Sequence, residues 1–243
     1  MRIVVYAISW NEECMLPFFL RHYDFADKIV IYDNMSTDRT CEIARAHPKV
    51  ELRQYDSGET IDEHKYVDIK SRAWAGEAAD WVISVDMDEF LYHENLLAYL
   101  ALYTTSGITL VYPSGYQMVY DNDEFPVDDG RQLTEICKNG VFMEGCSKVC
   151  CFNPSAISDM NYDIGCHNCH PTGCPIWWDP MRPIKLLHYH YIGRNYQFNR
   201  CQMKYTRRTP EAIIYGWGAT LDDDRAIKYR VYSEVLAKSV QVI

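Results

Sequence analysis

Two aspartates at the end of an apolar segment have the spacing that most clearly suggests chemistry in this chain. Asp86 and Asp88 close the segment WVISVDMD, and side chains two residues apart on an extended strand point the same way. Neighbouring carboxylates repel each other unless a cation neutralises them. Their hard oxygen atoms suit Mg²⁺ or Mn²⁺, with diphosphate oxygens completing the coordination shell. The pair therefore predicts a divalent-metal site, and the alternative is a solvated acidic strand end.

Two histidines late in the chain could add ligands to such a site. His188 and His190 flank Tyr189 in the segment LLHYHYIG, so both imidazoles would share one face of a strand. Imidazole nitrogens are common metal ligands, and one of these rings could complete the coordination of the metal. The alternative is a pair of hydrogen-bonded core histidines.

Two cations lie on one predicted helix. Lys65 and Arg72 are seven residues apart, and seven steps of about 100° bring them within about 20° of the same helix face. Cations in that position can meet the oxygens of a base or a diphosphate. The alternative is an exposed pair that bonds to the acidic residues Asp62, Glu63 or Asp68.

The cysteine-rich segment CHNCHPTGC carries a weaker signal for zinc. Its ligand-like residues are Cys166, Cys169, His170 and Cys174. A structural zinc site normally joins two half-motifs that are distant in sequence. The second half would have to come from Cys146, Cys150 or Cys151, whose spacing is poor. We therefore expect reduced thiols or a disulfide here rather than zinc.

The elements that must position these residues alternate between strands and helices over the first hundred residues. Apolar, β-rich runs predict four strands, RIVVYAIS, KIVIYD, VELRQY and WVISVD. The helices predicted between them are MLPFFLRHY with Pro17 in its first turn, CEIARAH with Ser36 or Thr37 as its cap, and a long helix from Asp62 to about Ala79. Such alternation implies a parallel sheet with helices on both faces, which binds ligands at the carboxyl ends of its strands. The polar segments WNEE, DNMSTD and DMDEF follow three of these strands, so we expect them to meet in one crevice.

The pattern changes after Leu100. ITLVYP predicts one more strand, and residues 115–183 are turn-rich and irregular and hold seven of the ten cysteines. A helix is predicted from about Tyr196 to Arg208, and a last amphipathic helix is predicted to begin near Asp222 to Asp224. We expect one α/β domain over residues 1–243 with an elaborated second half.

Composition excludes several classes of function. The 243 residues contain 24 Lys and Arg against 34 Asp and Glu, a formal net charge of −10, which argues against binding nucleic acid or anionic membranes. Hydrophobic residues make up 48% of the chain, which is enough for a packed core and argues against global disorder. The first residues lack the features of a secretory signal, and no run is long and apolar enough for a transmembrane helix. We therefore expect a cytoplasmic protein with reduced cysteines.

Four segments together resemble the GT-A-fold glycosyltransferases of the family 2-like type. AISWNEE resembles their first-strand segment, IYDNMSTDRT their second-strand segment and WVISVDMDEFL their Asp-x-Asp strand. KLLHYHYI resembles the late His-Tyr segment of the subgroup with an Asp-Glu-Phe extension. The resemblance covers roughly residues 3–95 and 184–200. It implies an α/β, GT-A-like (Rossmann-like) fold, a mostly parallel sheet flanked by helices with an irregular C-terminal half. Residues 1–100 would bind the nucleotide sugar, and residues 101–243 would bind the acceptor.

The resemblance also implies roles for individual residues. The nucleotide-sugar site would include Ser9, Asn11, Glu12, Asp33, Asn34, Ser36, Lys65, Arg72, Asp86 and Met87. Asp33 would accept a hydrogen bond from a uracil ring, which favours a UDP-linked donor. The metal, Mn²⁺ or Mg²⁺, would be held by Asp86, Asp88, His188 and His190. The general base would be Asp163, with Glu144, Asp121 and Asp123 as alternatives.

The expected activity is metal-dependent transfer of a hexosyl or deoxyhexosyl group from a nucleotide-diphosphate sugar to a carbohydrate acceptor, with inversion. A divalent ion would neutralise the charge that develops on the leaving diphosphate. One alternative is a nucleotidyltransferase, which the lack of a Gly-rich, basic loop after the first strand disfavours. The other is a catalytically silent module that binds sugar or zinc.

Overall fold

A computed structural model describes residues 1–177, 179–218 and 224–243. The strands are β1 Ile3–Ser9, β2 Lys28–Asp33, β3 Val50–Gln54, β4 Trp81–Asp86, β5 Glu89–Tyr92, β6 Leu110–Val111, β7 Ser114–Tyr120, β8 Asn139–Phe142, β9 Cys151–Phe152, β10 Ile157–Asp159, β11 Thr172–Gly173, β12 Lys185–Ile192 and β13 Val240–Gln241. The helices are α1 Leu16–His22, α2 Thr40–Ala46, α3 Glu63–Arg72, α4 Leu96–Thr105, α5 Leu133–Ile136, α6 Arg194–Thr206, α7 Pro210–Ile214 and α8 Arg225–Lys238.

The first half of the chain forms the core of a six-stranded sheet with the order β3-β2-β1-β4-β9-β6. The strands β3, β2, β1 and β4 are parallel, whereas β9 pairs antiparallel with both β4 and β6. Side chains on β1 alternate between two apolar clusters, with Val5 packing on one face and Val4 on the other. Both faces are covered, as the continuous apolar sequence of this strand predicts. The structure confirms the predicted fold class.

A second sheet, of five strands in the order β13-β8-β7-β12-β5, is the main feature that the sequence did not predict. Two of its strands, β7 and β8, come from the region that was expected to be irregular, whereas β5, β12 and β13 lie outside that region. The strand β12 lies between β5, with which it pairs antiparallel, and β7, with which it pairs parallel. Because β5 follows β4 after a turn at residues 87–88, the Asp-x-Asp segment lies where the two sheets meet.

Two predicted helices differ from those observed. The helix α3 ends at Arg72 rather than near Ala79, because the buried Trp74 and the positive φ of Gly76 (81°) place the chain in turns that return it to β4. The cap predicted for α2 is wrong. Ser36 bonds instead to Asp33, and Asp38 accepts the hydrogen bond from the backbone N–H of Thr40.

The other helix predictions hold with small shifts. The helix α1 begins at Leu16 with Pro17 in its first turn, and α6 spans Arg194–Thr206 where Tyr196 to Arg208 was predicted. The last helix begins at Arg225 with Asp224 as its N-cap, and the predicted start near Asp222 lies outside the described residues. In the described ranges, no helix combines the length and apolar character that crossing a bilayer requires.

Candidate active site

Three predicted ligands meet at the junction of the two sheets. One ligand atom from each of Asp88, His188 and His190 lies within 4.8 Å of the other two. The Nε2 atom of His188 is 3.7 Å from a carboxylate oxygen of Asp88. The pairing of His188 with Glu89 across β12 and β5 sets this geometry, and the backbone N–H of Tyr189 donates to the carbonyl of Asp88. Two imidazoles and a carboxylate form a donor set that fits a divalent transition ion such as Mn²⁺ better than Mg²⁺.

The three groups perturb one another's protonation. Burial would lower the pKa of His188, but the Asp88 carboxylate outweighs it and raises that pKa to about 10. Burial would raise the pKa of Asp88, and the His188 imidazolium outweighs this and holds it well below the usual range. Burial and the positive charge of His188 lower the pKa of His190 to about 3. A proton on His188 thus balances Asp88, and a metal ion bound there would displace it.

Asp86 lies outside this group of three and faces a different set of partners. The strand β4 ends at Asp86 and the chain turns at Met87 and Asp88, so the predicted extended geometry, with both carboxylates on one side, is wrong. One carboxylate oxygen of Asp86 accepts hydrogen bonds from Lys70, at 2.7 Å, and from the Tyr66 hydroxyl. The other oxygen is 3.5 Å from the Lys148 ammonium.

Glu89 completes this cluster. Its carboxylate lies 2.6 Å from Lys148 and accepts a hydrogen bond from the backbone N–H of Asp86 at 2.9 Å. Lys70 and Lys148 are only 4% and 6% exposed, so each needs a carboxylate to offset its desolvation. The two lysines and two carboxylates balance in charge. Burial would raise the pKa of Asp86, and the two lysines outweigh this and hold it far below its usual range.

Sequence reasoning missed Lys70, Lys148 and Glu89. Lys70 lies on the predicted helix between the two cations that the sequence analysis chose. Its position on the helix would have indicated a role in the site only if the buried face of α3 had been identified from the sequence. Lys148 comes from the segment expected to be irregular, and no local pattern connects it to the Asp-x-Asp turn.

The loops that follow β1 and β2 meet as predicted. Asp33 is fully buried and accepts hydrogen bonds from the Ser9 hydroxyl, the Cys41 thiol, and both the backbone N–H and the hydroxyl of Ser36. The backbone N–H of Asn11 donates to the Ser36 hydroxyl at 2.8 Å. The four bonds use the acceptor capacity of the Asp33 carboxylate. Its role in reading a uracil ring stays a prediction, and one that requires these bonds to rearrange.

The remaining predicted nucleotide residues take varied positions. The side chain of Asn34 bonds to the Ser57 hydroxyl, and Met87 is buried in the core. The Lys65 ammonium donates to the carbonyl of Asp56 at 2.9 Å. Arg72 forms an exposed ion pair with Asp68, which is the alternative that the sequence analysis left open, and a second ion pair with Asp159, which the sequence did not indicate.

The helix α6 covers the crevice from the C-terminal half. Arg200 and Glu12 form a buried, bidentate ion pair that ties α6 to the loop after β1. Just beyond the helix, the Arg207 guanidinium stacks on the ring of Trp10, 3.9 Å from its centroid. Burial raises the pKa of Glu12, and the positive charges of Arg200 and then Lys204 oppose that rise. The same two cations assist His188 in lowering the pKa of Asp88. The helix therefore brings cations to the crevice that holds the candidate ligands.

The candidate base lies outside the group formed by Asp88, His188 and His190. Asp163 is exposed and pairs with His170 at 3.5 Å. A cavity of about 510 Å³ includes Asp163 in its wall, together with Tyr112, Ser147, His167, His170 and Trp177.

The alternative bases are all engaged in ion pairs. Glu144 pairs with Arg182 and accepts a hydrogen bond from Tyr112, and Asp121 and Asp123 both pair with Arg194. Assignment of the base stays a prediction.

All ten cysteines are free thiols. Among the described residues, the one group of three possible metal ligands is that of Asp88, His188 and His190. The segment from Cys166 to Cys174 does not form such a group.

Comparisons with known proteins give similarity in structure alone. No family model matches the chain, and no curated protein matches it. It is similar to the crystal structure of S. aureus TarS with a TM-score of 0.47 and 12% identity, covering 98% of this chain and 43% of that one. The structure of S. aureus TarS 1–349 in complex with UDP-GlcNAc gives a TM-score of 0.45 at 12% identity, covering 98% and 72%. The complex of TarS 1–349 with UDP gives 0.45 at 12%, covering 97% and 71%. The chain thus spans less than half of the first of these proteins.

Proposed function

We propose that this protein is a metal-dependent glycosyltransferase that moves a sugar from a nucleotide-diphosphate donor to a carbohydrate acceptor. The observation that supports this most strongly is the convergence of Asp88, His188 and His190. It occurs at the carboxyl end of β4, where open α/β sheets bind their ligands. The ordered loops after β1 and β2 form the rest of that edge, as a nucleotide site requires.

Asp88, His188 and His190 would hold the metal. A divalent ion in that position supplies charge neutralisation for the diphosphate that leaves during glycosyl transfer. Asp86 was predicted as a fourth ligand, but its carboxylate is held by Lys70, Lys148 and Tyr66. We propose instead that Asp86 holds the Asp-x-Asp turn in place and offers its carboxylate to the nucleotide sugar as a fixed hydrogen-bond acceptor.

The cations of α6 would complete the donor site. Arg200 holds the loop that begins at Glu12, and Lys204 lies close enough to Asp88 and Glu12 to act on their pKa values. A cation beside the diphosphate position stabilises negative charge in the ground state and in the transition state. The donor is proposed to be UDP-linked, on the basis of the sequence resemblance.

The acceptor would occupy the cavity of about 510 Å³ near Ser147. Its wall combines the aromatic rings of Tyr112 and Trp177 with the polar groups of Asp163 and His170. Aromatic faces with a few polar groups suit an amphipathic ligand such as a sugar. Asp163 would then deprotonate the acceptor hydroxyl, which fits transfer with inversion.

A thermal-shift panel tests this function. A ligand that binds the folded state raises the apparent stability, so UDP-sugars with Mn²⁺ should raise the melting temperature more than either component alone. Asp88→Asn should lose this synergy, and Arg72→Met, at an exposed ion pair, should retain it. Stabilisation by sugars alone would indicate a silent binding module, and stabilisation by nucleoside triphosphates above UDP-sugars would indicate a nucleotidyltransferase. Either result would overturn the proposal.

A further inference from the structure

A chain of polar side chains lies behind His188, on the side of the ring away from Asp88. It consists of Gln117 on β7 and Cys146 at the end of a single 3₁₀ turn over Glu144–Cys146. Both are buried, with exposures of 5% and 8%. Gln117 is paired directly with His188 in the parallel register of β7 and β12.

The backbone is built to bring Cys146 close to this strand pair. A Cβ atom added at Gly115 would lie 2.1 Å from the carbonyl carbon of Cys146, so only glycine permits the approach. The backbone N–H of Gly115 also donates to the Ser147 hydroxyl at 2.9 Å. The position of the thiol is therefore fixed by the fold.

The hydrogen bonds among Gln117, Cys146 and His188 can be assigned a single set of donors and acceptors. The side-chain amide of Gln117 donates from Nε2 to the backbone carbonyl of His188 at 3.0 Å, and a carbonyl can only accept. This bond orients the amide, so that its Oε1 faces the Sγ of Cys146 at 3.8 Å. Since Oε1 can only accept as well, the thiol must donate its proton to Gln117.

The sulfur is then left as the acceptor for His188. The Nδ1 atom of His188 lies 3.8 Å from Sγ, so Nδ1 carries the proton that this contact requires. The opposite nitrogen, Nε2, is the atom that points to Asp88. With one proton held on Nδ1, the proton that a metal ion would displace is the one on Nε2, and its loss frees the Nε2 lone pair for ligation.

We propose that Cys146 and Gln117 are positioning residues that hold His188 in the tautomer and orientation needed to ligate the metal. The inference rests on the proposed function, because it assumes that Asp88, His188 and His190 bind a divalent ion. Partners that orient a ligating histidine typically change metal affinity by about 10–100-fold when they are removed.

Calorimetric titration of the metal-free protein with Mn²⁺ tests this inference without recourse to activity. Cys146→Ala should weaken Mn²⁺ binding by about 10–100-fold, because Nδ1 loses its acceptor. Cys146→Ser restores a hydroxyl that can donate to Gln117 and accept from His188, so it should recover most of the affinity. Cys151→Ala removes another buried thiol, from β9, and should bind Mn²⁺ as the wild type does.

A double-mutant cycle separates positioning from general destabilisation. Gln117→Leu should weaken Mn²⁺ binding as Cys146→Ala does. The double variant should bind Mn²⁺ no more weakly than the weaker-binding single variant, because both residues act through the Nδ1 proton of His188. If Cys146→Ala fails to fold, Cys146→Ser and Gln117→Leu carry the test, and the predicted order of affinity places Cys146→Ser first.

The outcomes distinguish this inference from the function on which it rests. Equal Mn²⁺ affinity in the wild type, Cys146→Ala and Gln117→Leu would overturn the positioning role and leave the metal site intact. An equal loss in Cys146→Ser and Cys146→Ala would also overturn it. Failure of the wild type to bind Mn²⁺ would instead overturn the proposed metal site itself.

Discussion

At the scale of single residues, the two aspartates of the Asp-x-Asp segment have different partners and so should have different roles. Asp88 faces two imidazoles, whereas Asp86 faces two lysines and a tyrosine. Asp88→Asn should lower Mn²⁺ affinity by at least about 10-fold, because it removes the one carboxylate of the ligand group. Asp86→Asn should change that affinity by less than about 3-fold. Calorimetry on both variants checks this, and equal losses would restore Asp86 as a ligand.

Two cations of the same helix also differ in their surroundings. Lys70 is 4% exposed and 2.7 Å from Asp86, whereas Arg72 is an exposed member of surface pairs. Breaking a buried ion pair by removing one partner is strongly destabilising, and exposed pairs contribute roughly 0–1 kcal/mol. Lys70→Met should therefore lower the free energy of unfolding by about 2–4 kcal/mol, the remaining lysine limiting the loss.

Arg72→Met is the matched control for Lys70→Met. It should change the free energy of unfolding by less than about 1 kcal/mol, because the Arg72 side chain itself is largely exposed and its pair with Asp68 stays hydrated. Urea denaturation of both variants measures the difference. Equal effects would contradict the assignment of Lys70 as a buried member of the Asp86 cluster.

At the scale of elements, α6 is held over the crevice by one buried ion pair. Glu12 is 5% exposed and accepts both bonds from the Arg200 guanidinium. Arg200→Met should destabilise the protein by about 3–5 kcal/mol, because it leaves a buried carboxylate without its partner. Adding Glu12→Leu should recover part of that loss. A double variant less stable than Arg200→Met in urea unfolding would contradict this account.

The packing of α1 against β5 should make stability depend on pH. Burial lowers the pKa of His22 to about 4, while the bond of its Nε2 to the Leu91 carbonyl partly opposes the shift. Unfolding returns the pKa to about 6.5, so the unfolded state binds more protons between pH 6.5 and 4. The contribution of His22 to stability is thus present above pH 6.5 and is lost as the pH falls to about 4.

Comparison with His22→Phe isolates this effect. The wild type should lose about 1–2 kcal/mol more than the variant between pH 7 and 4, allowing for the partial exposure of the ring. Urea unfolding at both pH values gives the difference. Parallel pH profiles for the two proteins would show that His22 is not held neutral by burial.

The parallel half of the fold was predictable because its signals are local. Continuous apolar runs such as those of β1 and β4 require burial on both faces, and the polar segments after them must then meet at one edge. The second sheet was not predictable in this way. It depends on the pairing of β12 with β5 and β7, which join residues about 70–100 positions apart.

The candidate site reflects the same division. Asp88, His188 and His190 were found from the motif and the resemblance, and the structure brings them together. Lys148 and Cys146 reach the site only through tertiary packing, so no spacing in the sequence indicated them. Arg72 was selected by its spacing from Lys65 and by the resemblance, and Asp163 by the resemblance, and the structure places both in ion pairs.

At the scale of the whole molecule, two sheets meet at one turn, and the proposed metal and nucleotide-sugar site lies at their junction. The first sheet supplies the loops after β1 and β2, the second supplies His188 and His190, and α6 covers both. The loops, the two histidines and α6 could each, taken separately, be explained by folding alone. Their convergence at Asp88 is what the proposed activity explains.

The release of UDP from a panel of UDP-sugars, measured with Mn²⁺ and with excess EDTA, tests this central claim most directly. The account predicts release that requires Mn²⁺, stops in EDTA, resumes when Mn²⁺ is restored and is largely lost in Asp88→Asn. Release at an undiminished rate in EDTA, or at the wild-type rate in Asp88→Asn, would contradict it.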